Sequence, residues 1–491
     1  MKKIAILGGG VSGLSCAHYL TKLGKKLGRS DRIILIEASS AVGGWLKSHQ
    51  FDDGVVHELG PKSIRASGLP AHNTLLMAEE LNLAPEIINV KHSDAAARKR
   101  LICIDDQLHT LPNSLKSLIF RTPPFSKPLI TALYQDFTTK RLPIGDDEDI
   151  SVHDFMSLRF GEEVAKYLAG PMCRGIAAGD SKKLSIKSMF PPIYQAEREK
   201  GSVIKGMFSP KAIPASISDE IAKSSLLSKV KSEKWSIWSL KNGLQQLPQR
   251  LYSNLIKESN IDIQLGHKVD HIMFKDDGSA VLHVSNSTSI KPISVDYIFS
   301  ALPAANLAKC ISAKAYPIIH KTLGSVKSVS VAVVNLEYSG TVIPRDMGFG
   351  FLTPSYTNSV ILGIVFDSCC FKDHDAARDI TRLTVMMGGE WFEDHFGDPV
   401  NVDQQLILNV AKDAVKRHLK VDAEPIRTLA NIHKECIPQY YLGHGSKLET
   451  IKKEIESTRL NLELLGNSFA GLGVNDSIFD ARKKVENFID K

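Results

Sequence analysis

The first forty residues constrain this chain more than any other stretch. Lys3-Ile4-Ala5-Ile6-Leu7 is a short apolar run of strand type, and Gly8-Gly9-Gly10-Val11-Ser12-Gly13 follows it directly. Leu14, Ala17, Leu20 and Leu23 then recur at helical spacing as far as Lys25. A second buried strand, Arg32 to Ile36, ends on Glu37. This order predicts a βαβ unit with G-x-G-x-x-G at Gly8, Gly10 and Gly13. The first glycine permits the tight turn, the second lets backbone approach a pyrophosphate, and the third lets helix and strand pack closely. Gly9, Ser12 and Leu14 belong to the same phosphate-facing turn, where free N–H groups and the helix dipole favour an anion. Glu37, 24 residues beyond Gly13, can accept hydrogen bonds from both ribose hydroxyls and would repel a 2′-phosphate, which disfavours NADP. A glycine-rich turn of another α/β protein is the competing reading, and the complete strand–helix–strand–acid order argues against it.

The remainder bounds the class. A chain of 491 residues should divide into two or three domains. It is 43% hydrophobic and 23% charged, ordinary for a folded protein, and its net charge of +7 is mild. That excess suits anionic lipid or an anionic substrate and is too diffuse to argue for nucleic acid. The seven cysteines, Cys16, Cys103, Cys173, Cys310, Cys369, Cys370 and Cys436, have no zinc-like spacing, so neither a disulfide framework nor a metal is expected. Met-Lys-Lys leads straight into the first strand, so no secretory leader is expected there. No run of 18 apolar residues predicts a spanning helix.

Ala41-Val42-Gly43-Gly44-Trp45 resembles the second fingerprint of glutathione-reductase-like flavoproteins, which implies FAD rather than NAD; a simple turn is the alternative. Asn461 to Gly466 reads as a strand, Asn467 to Asp476 as a loop of small residues, and Ile478 to Lys491 as a closing helix. Ser239 to Pro248 opens a helix, while Ile261–Leu265 and Asp296–Pro303 read as strands. Both chain ends and a middle piece should therefore build one discontinuous cofactor unit.

Further stretches are more particular. They are Gly43-Gly44-Trp45, Glu58 to Arg65, Cys173 to Asp180, Leu184-Ser185-Ile186, Trp238-Ser239-Leu240, Asn335-Leu336, Ile437 to Tyr440 and Val474-Asn475-Asp476. In this order, spread over nearly the whole chain, they resemble the protoporphyrinogen IX oxidase family of amine-oxidase-type flavoproteins. One departure is Lys62, where many relatives carry Arg or Asn. The resemblance implies one non-covalent FAD per chain, contacted by the turn residues and Glu37. Gly43, Gly44, Trp45, Gly60, Pro61, Lys62, Ser63, Trp238, Val269, Ala301, Gly471, Val474 and Asn475 complete that set. It also implies six-electron oxidation of protoporphyrinogen IX in haem synthesis, with dioxygen reduced to hydrogen peroxide. The flavin carries the chemistry, and the protein supplies position and electrostatics in a wide, mostly apolar pocket.

The same match puts Arg100 against a substrate propionate, although Arg98-Lys99-Arg100 also reads as a solvated cluster. It puts Phe349, Leu352 and Met386 on the ring, although such residues are often plain core. Gly175 would offer its carbonyl to ring N–H groups, or would merely permit a turn. No general base is assigned: His57 beside a strand end reads as structural. Nor is there a cysteine motif for covalent flavin. The alternatives are a related FAD oxidase acting on amines or polyenes, and a catalytically silent binder resembling GDP-dissociation inhibitors.

The expected fold class is α+β: a Rossmann-type FAD-binding domain (1–89, 236–303, 455–491), a β-sheet substrate domain (207–235, 304–454) and a helical membrane-binding domain (90–206). The last expectation rests on Leu108 to Phe137, where Pro112, Pro123, Pro124 and Pro128 interrupt apolar stretches rimmed by Lys116, Arg121 and Lys127. Leu115, Leu118, Ile119, Phe120, Phe125, Leu129, Ile130 and Leu133 are many large apolar groups for so broken a stretch to hide, which suits an interfacial position on lipid. A solvent-exposed subdomain is the other reading. The resemblance places relatives on the mitochondrial inner membrane, or a bacterial membrane if the source is prokaryotic. It admits a homodimer and handover of product to ferrochelatase.

Overall fold

The computed structural model describes residues 1–145, 148–209, 214–357 and 359–490. Its first unit is a five-stranded sheet in the order Ile261–Leu265, Arg32–Glu37, Lys3–Leu7, Tyr297–Ser300, Leu462–Leu464. All four pairings are parallel. Parallel strands covered on both faces read as unbroken apolar runs, as Lys3–Leu7 and Arg32–Glu37 do. On one face lie the helices Val11–Lys26, Leu69–Glu80, Gln246–Leu255 and Val474–Ile489, with Leu14, Leu75, Leu251 and Ile478 fully buried among them. On the other face lie a three-stranded meander (Lys268–Phe274, Ala280–Ser285, Ile290–Val295) and the helices Ala304–Cys310, Pro317–Gly324 and His444–Ser457.

Two segments expected in the substrate domain belong here instead. Ile217, Leu226, Leu227 and Val230, from residues 207–235, share the core of Leu75 and Leu76. Leu307, Ile319 and Ile451, from 304–454, pack under the meander with Leu282. Apolar stripes on short helices show that a face is buried but not against what. The closing helix begins at Val474, not Ile478, with Gly473 as its N-cap.

The second unit is a seven-stranded sheet in the order Arg427–Pro438, Ser328–Ser339, Ile380–Gly389, Ile361–Val365, Gly350–Leu352, Leu101–Ile104, Gln107–Thr110. Its last two strands come from the segment expected to be helical. Leu101–Ile104 pairs in parallel with Gly350–Leu352, a partner some 250 residues away that local pattern cannot show. Alternation sets the faces. Ala332, Val334 and Leu336 pack under the helix Gln404–Leu419. Val331, Val333 and Met386 turn to the opposite face and toward the first unit.

The third unit is helical, from Leu115 to Met207. Phe125, Val152, Phe155, Cys173 and Ile186 form its core. A buried ion pair joins Arg159 Nε to Asp136 at 2.7 Å. The remaining guanidinium donors go to carbonyls of Asp136, Thr139, Lys140 and Gly201. Phe125, expected at the surface, is buried, and Leu129 packs partly against the same core. Leu115, Ile119, Phe120 and Ile130 are exposed, as is Tyr134. Among the described residues no helix is long and apolar enough to cross a membrane.

Candidate active site

A cavity of about 690 Å³ opens where the three units meet. The first contributes Trp45, Gly60, Pro61, Lys62, Ser63, Val474 and Asn475. The sheet contributes Arg100, Phe349, Leu352 and Met386, and the helical unit contributes Gly175. Residues chosen separately from the sequence for cofactor and for substrate thus border one space.

On the cofactor side, small residues make room. Gly8 holds φ near +100°. A side chain at Gly13 would stand 1.9 Å from the Gly8 carbonyl, so helix and strand could not close. Gly10 and Gly44 face each other: a Cβ on Gly10 would meet only the Gly44 Cα, at 3.9 Å. Glu37 accepts the N–H of Gly9 at 2.6 Å and both the N–H and hydroxyl of Ser39, at 2.8 and 2.7 Å. The acid is therefore fixed against the turn, with three of its roughly four acceptor sites used and one left for a ribose hydroxyl. Leu14 gives its N–H to the Gly10 carbonyl, closing the helix instead of facing a phosphate. Ala301 lies against Gly8. Asn475 donates Nδ2 to the Arg65 carbonyl at 3.0 Å, while its buried Oδ1 has no partner. An acceptor left open on a cavity wall calls for a donor from a bound group. These features fit a flavin dinucleotide.

The glycine turn, Glu37, Gly43, Gly44 and Ala301 lie outside the lining of this cavity, as do Trp238, Val269 and Gly471. Trp238 is wholly buried in a strand between Ile64–Arg65 and Ile87–Lys91, so it is core. Val269 sits in the meander, its carbonyl accepting Cys310 Sγ at 3.2 Å. Gly471 shapes the Asn467–Gly473 loop with φ near +102° and gives its N–H to the Tyr440 hydroxyl.

On the other side, the basic cluster divides. Lys99 turns to Asp346 at 2.7 Å. Arg100 stands over the Phe349 ring at 4.6 Å and has no carboxylate partner among the described residues. Gly175 lies in the last turn of the helix Gly170–Ala177 and not in a loop, so its carbonyl is one of the four a helix end leaves open. A side chain there would press to 2.9 Å on Leu352.

Sequence reasoning assigned no role to Arg174. Its guanidinium donates to the carbonyls of Pro354, Ser359 and Ile361 at 2.9–3.2 Å and stacks 4.3 Å from Trp391. Burial draws its acidity to about 10. It ties the helix to the Gly350–Val365 hairpin and so sets the cavity's width. His433, also unassigned, donates to the Leu59 carbonyl and meets Trp45 edge-on at 5.5 Å. No local motif marks either residue. His57 is buried behind the wall, 3.3 Å from Glu337.

Residues 11–447 match the flavin containing amine oxidoreductase family. The protoporphyrinogen oxidase of Bos taurus is 37% identical, covering 98% of this chain and 97% of its own. The human protein of that name is 36% identical over the same shares. The chain belongs to the protoporphyrinogen oxidase family. A solved structure from Exiguobacterium sp. 255-15, 19% identical, has the same fold, with a TM-score of 0.76 over 100% of this chain and 99% of that one. FAD is the cofactor of this protoporphyrinogen oxidase family member, and Trp45, next in the chain to the Gly43-Gly44 pair, lines the apolar cavity.

Proposed function

We propose that this chain oxidises protoporphyrinogen IX to protoporphyrin IX with dioxygen as acceptor. The observation that carries the reading is Arg100, an unpaired cation on the wall of an otherwise largely apolar cavity beside the flavin-fitting residues. A porphyrinogen offers the complement: an apolar macrocycle with carboxylates at one edge. FAD, when bound, accepts hydride and passes electrons to dioxygen. The chain's residues do the rest. Phe349, Leu352 and Met386 enclose the macrocycle and keep water from it. Arg100 receives a propionate, and the open carbonyl of Gly175 faces the pyrrolic N–H groups. The test is anaerobic mixing of the yellow holoprotein with protoporphyrinogen IX, benzylamine or a carotenoid. Rapid bleaching by the porphyrinogen alone is expected. Bleaching by the amine or the polyene alone would overturn the reading.

The exposed apolar side chains of the helical unit support a second element of this proposal: the protein lies on a membrane, the mitochondrial inner membrane in a eukaryotic source, without crossing it. Leu115 (79% exposed), Phe120 (62%) and Tyr134 (70%) stand in water at a cost that a lipid interface would remove. Flotation with anionic liposomes tests this; protein that stays monodisperse without detergent and does not float would end it.

A further inference from the structure

We propose that Lys62 is a catalytic proton carrier: its amine takes the proton from a pyrrolic N–H of the bound macrocycle as hydride leaves the neighbouring carbon. This rests on the porphyrinogen reading above. Lys62 lines the cavity. Its Nζ donates to two neutral acceptors, the Glu58 carbonyl and Asn335 Oδ1, the latter at 3.0 Å. Among the described residues no carboxylate lies within ion-pair distance of it. Two donated hydrogen bonds are what a neutral amine can make, which leaves its lone pair as the third valence direction. Asn335 is held in turn: its Nδ2 donates to the same Glu58 carbonyl at 3.1 Å, and Thr384 Oγ1 lies 2.7 Å from its Oδ1. The amine is thus positioned by a rigid amide and a strand carbonyl and not by a counter-ion that would lock it as ammonium.

The surroundings act in both directions. Burial, the largest influence, holds the Lys62 ammonium below the usual lysine range. Glu58 on the strand Val56–Glu58 and Asp367 beyond Ile361–Val365 oppose that, and Arg382 on Ile380–Gly389 adds to it. His57 and His433 face it from the Val56–Glu58 and Arg427–Pro438 strands, and both are held below the ordinary imidazole range by burial. His433 is tied to the Leu59 carbonyl. Lys62 is therefore the cavity amine free to change protonation. Each two-electron turn balances. In two of the three turns one meso C–H bond breaks and its hydride goes to the flavin, while one N–H bond breaks and its proton goes to Lys62. In the remaining turn the hydride again leaves a meso carbon and the proton comes from the fourth meso carbon, so that four C–H and two N–H bonds are lost in all. Dioxygen then takes up both electrons and two protons, one returned by Lys62, and leaves as hydrogen peroxide.

The test compares the holoprotein with Lys62→Met and Lys62→Arg, the latter retaining a cation that does not deprotonate. Flavin absorbance checks that each variant folds and loads. In anaerobic stopped flow with protoporphyrinogen IX, the parent's flavin reduction should quicken as pH rises and then level. Both variants should be slower by about a hundredfold, the scale of a lost general base, and should lack that rise. A readout independent of turnover is pulse acetylation followed by mass spectrometry: Lys62 should be modified at lower pH than the surface lysines. Variants with the parent's rate and pH profile, or a Lys62 acetylated only with the surface set, would overturn the proposal. A parent flavin that the porphyrinogen does not reduce would remove the substrate reading first, and this proposal with it.

Discussion

Arg100 and Glu37 are single side chains whose roles separate cleanly. Replacing Arg100 by Ala should raise KM and lower kcat/KM by about 10- to 100-fold, the scale of one charge-assisted bond, with an unchanged flavin spectrum. Arg100→Lys should recover only part, because an ammonium cannot present the planar fork. Steady-state kinetics equal to the parent's would return Arg100 to the solvent. Glu37→Ala should weaken FAD retention by about 1–3 kcal/mol, read by equilibrium dialysis of flavin; full retention would defeat the assignment. Glu37 was legible because its place after two strands and a glycine turn is fixed by local order. Arg100 was half legible: three adjacent basic residues look alike in sequence, and only the pairing of Lys99 with Asp346 and the stacking of Arg100 on Phe349 tell them apart. Arg174 was illegible as a brace, because its three carbonyl partners lie about 180 residues away.

At the scale of elements, the helices Leu115–Ile119 and Leu129–Thr138 carry the lipid reading. Phe120→Ser with Tyr134→Ser should abolish binding to anionic liposomes that survives a high-salt wash. The cost of unburying such side chains is about 1.5–3 kcal/mol each. Leu129 and Phe125 are poor targets, since both pack inward. Binding unchanged in the double variant would place the contact elsewhere. The same unit hangs on Asp136, whose carboxylate also accepts Ser202 Oγ at 2.6 Å and the N–H groups of Val203 and Ile204. Asp136→Ala leaves the buried Arg159 guanidinium only the more distant Glu197 carboxylate, at 3.7 Å, and should cost about 3–5 kcal/mol in denaturant unfolding; a loss under 1 kcal/mol would contradict this. Continuous apolar strands were readable, because burial on both faces leaves no polar gaps. The strands at 101–110 were not, since neither is longer than four residues and their sheet is completed by distant chain. The start of the closing helix was misread because Val474-Asn475-Asp476, as small and polar residues, looks like loop. There Asp476 accepts the Gly473 N–H and caps the first turn.

Across the whole molecule, acid should act through buried imidazoles. Burial pushes His374 and His444 from 6.5 down to about 4. Neutral rings are favoured in the fold, so the stability they contribute is complete above about pH 6.5 and lost as pH falls toward 4, at most about 3 kcal/mol each. Glu58, raised by burial to about 7, works oppositely: its contribution is complete below about 4.5 and lost as pH rises through 7. Unfolding free energies of the parent and His374→Gln from pH 7 to 4 should converge as the solution is acidified. A gap that stays constant would rule the imidazole out as the source.

The five-stranded sheet has a consequence in time. Its central strand, Lys3–Leu7, leaves a ribosome some 450 residues before its edge strand, Leu462–Leu464. Asn475 and the cap of the closing helix emerge later still. The cradle for the dinucleotide is thus incomplete until residue 475 has emerged, and flavin loads only onto a chain that reaches at least that far. Nascent chains stalled at residue 455 should bind no flavin, whereas released full-length chains should. A premature stop between residues 462 and 475 would remove the cofactor from a chain that still carries the seven-stranded sheet and the helical unit.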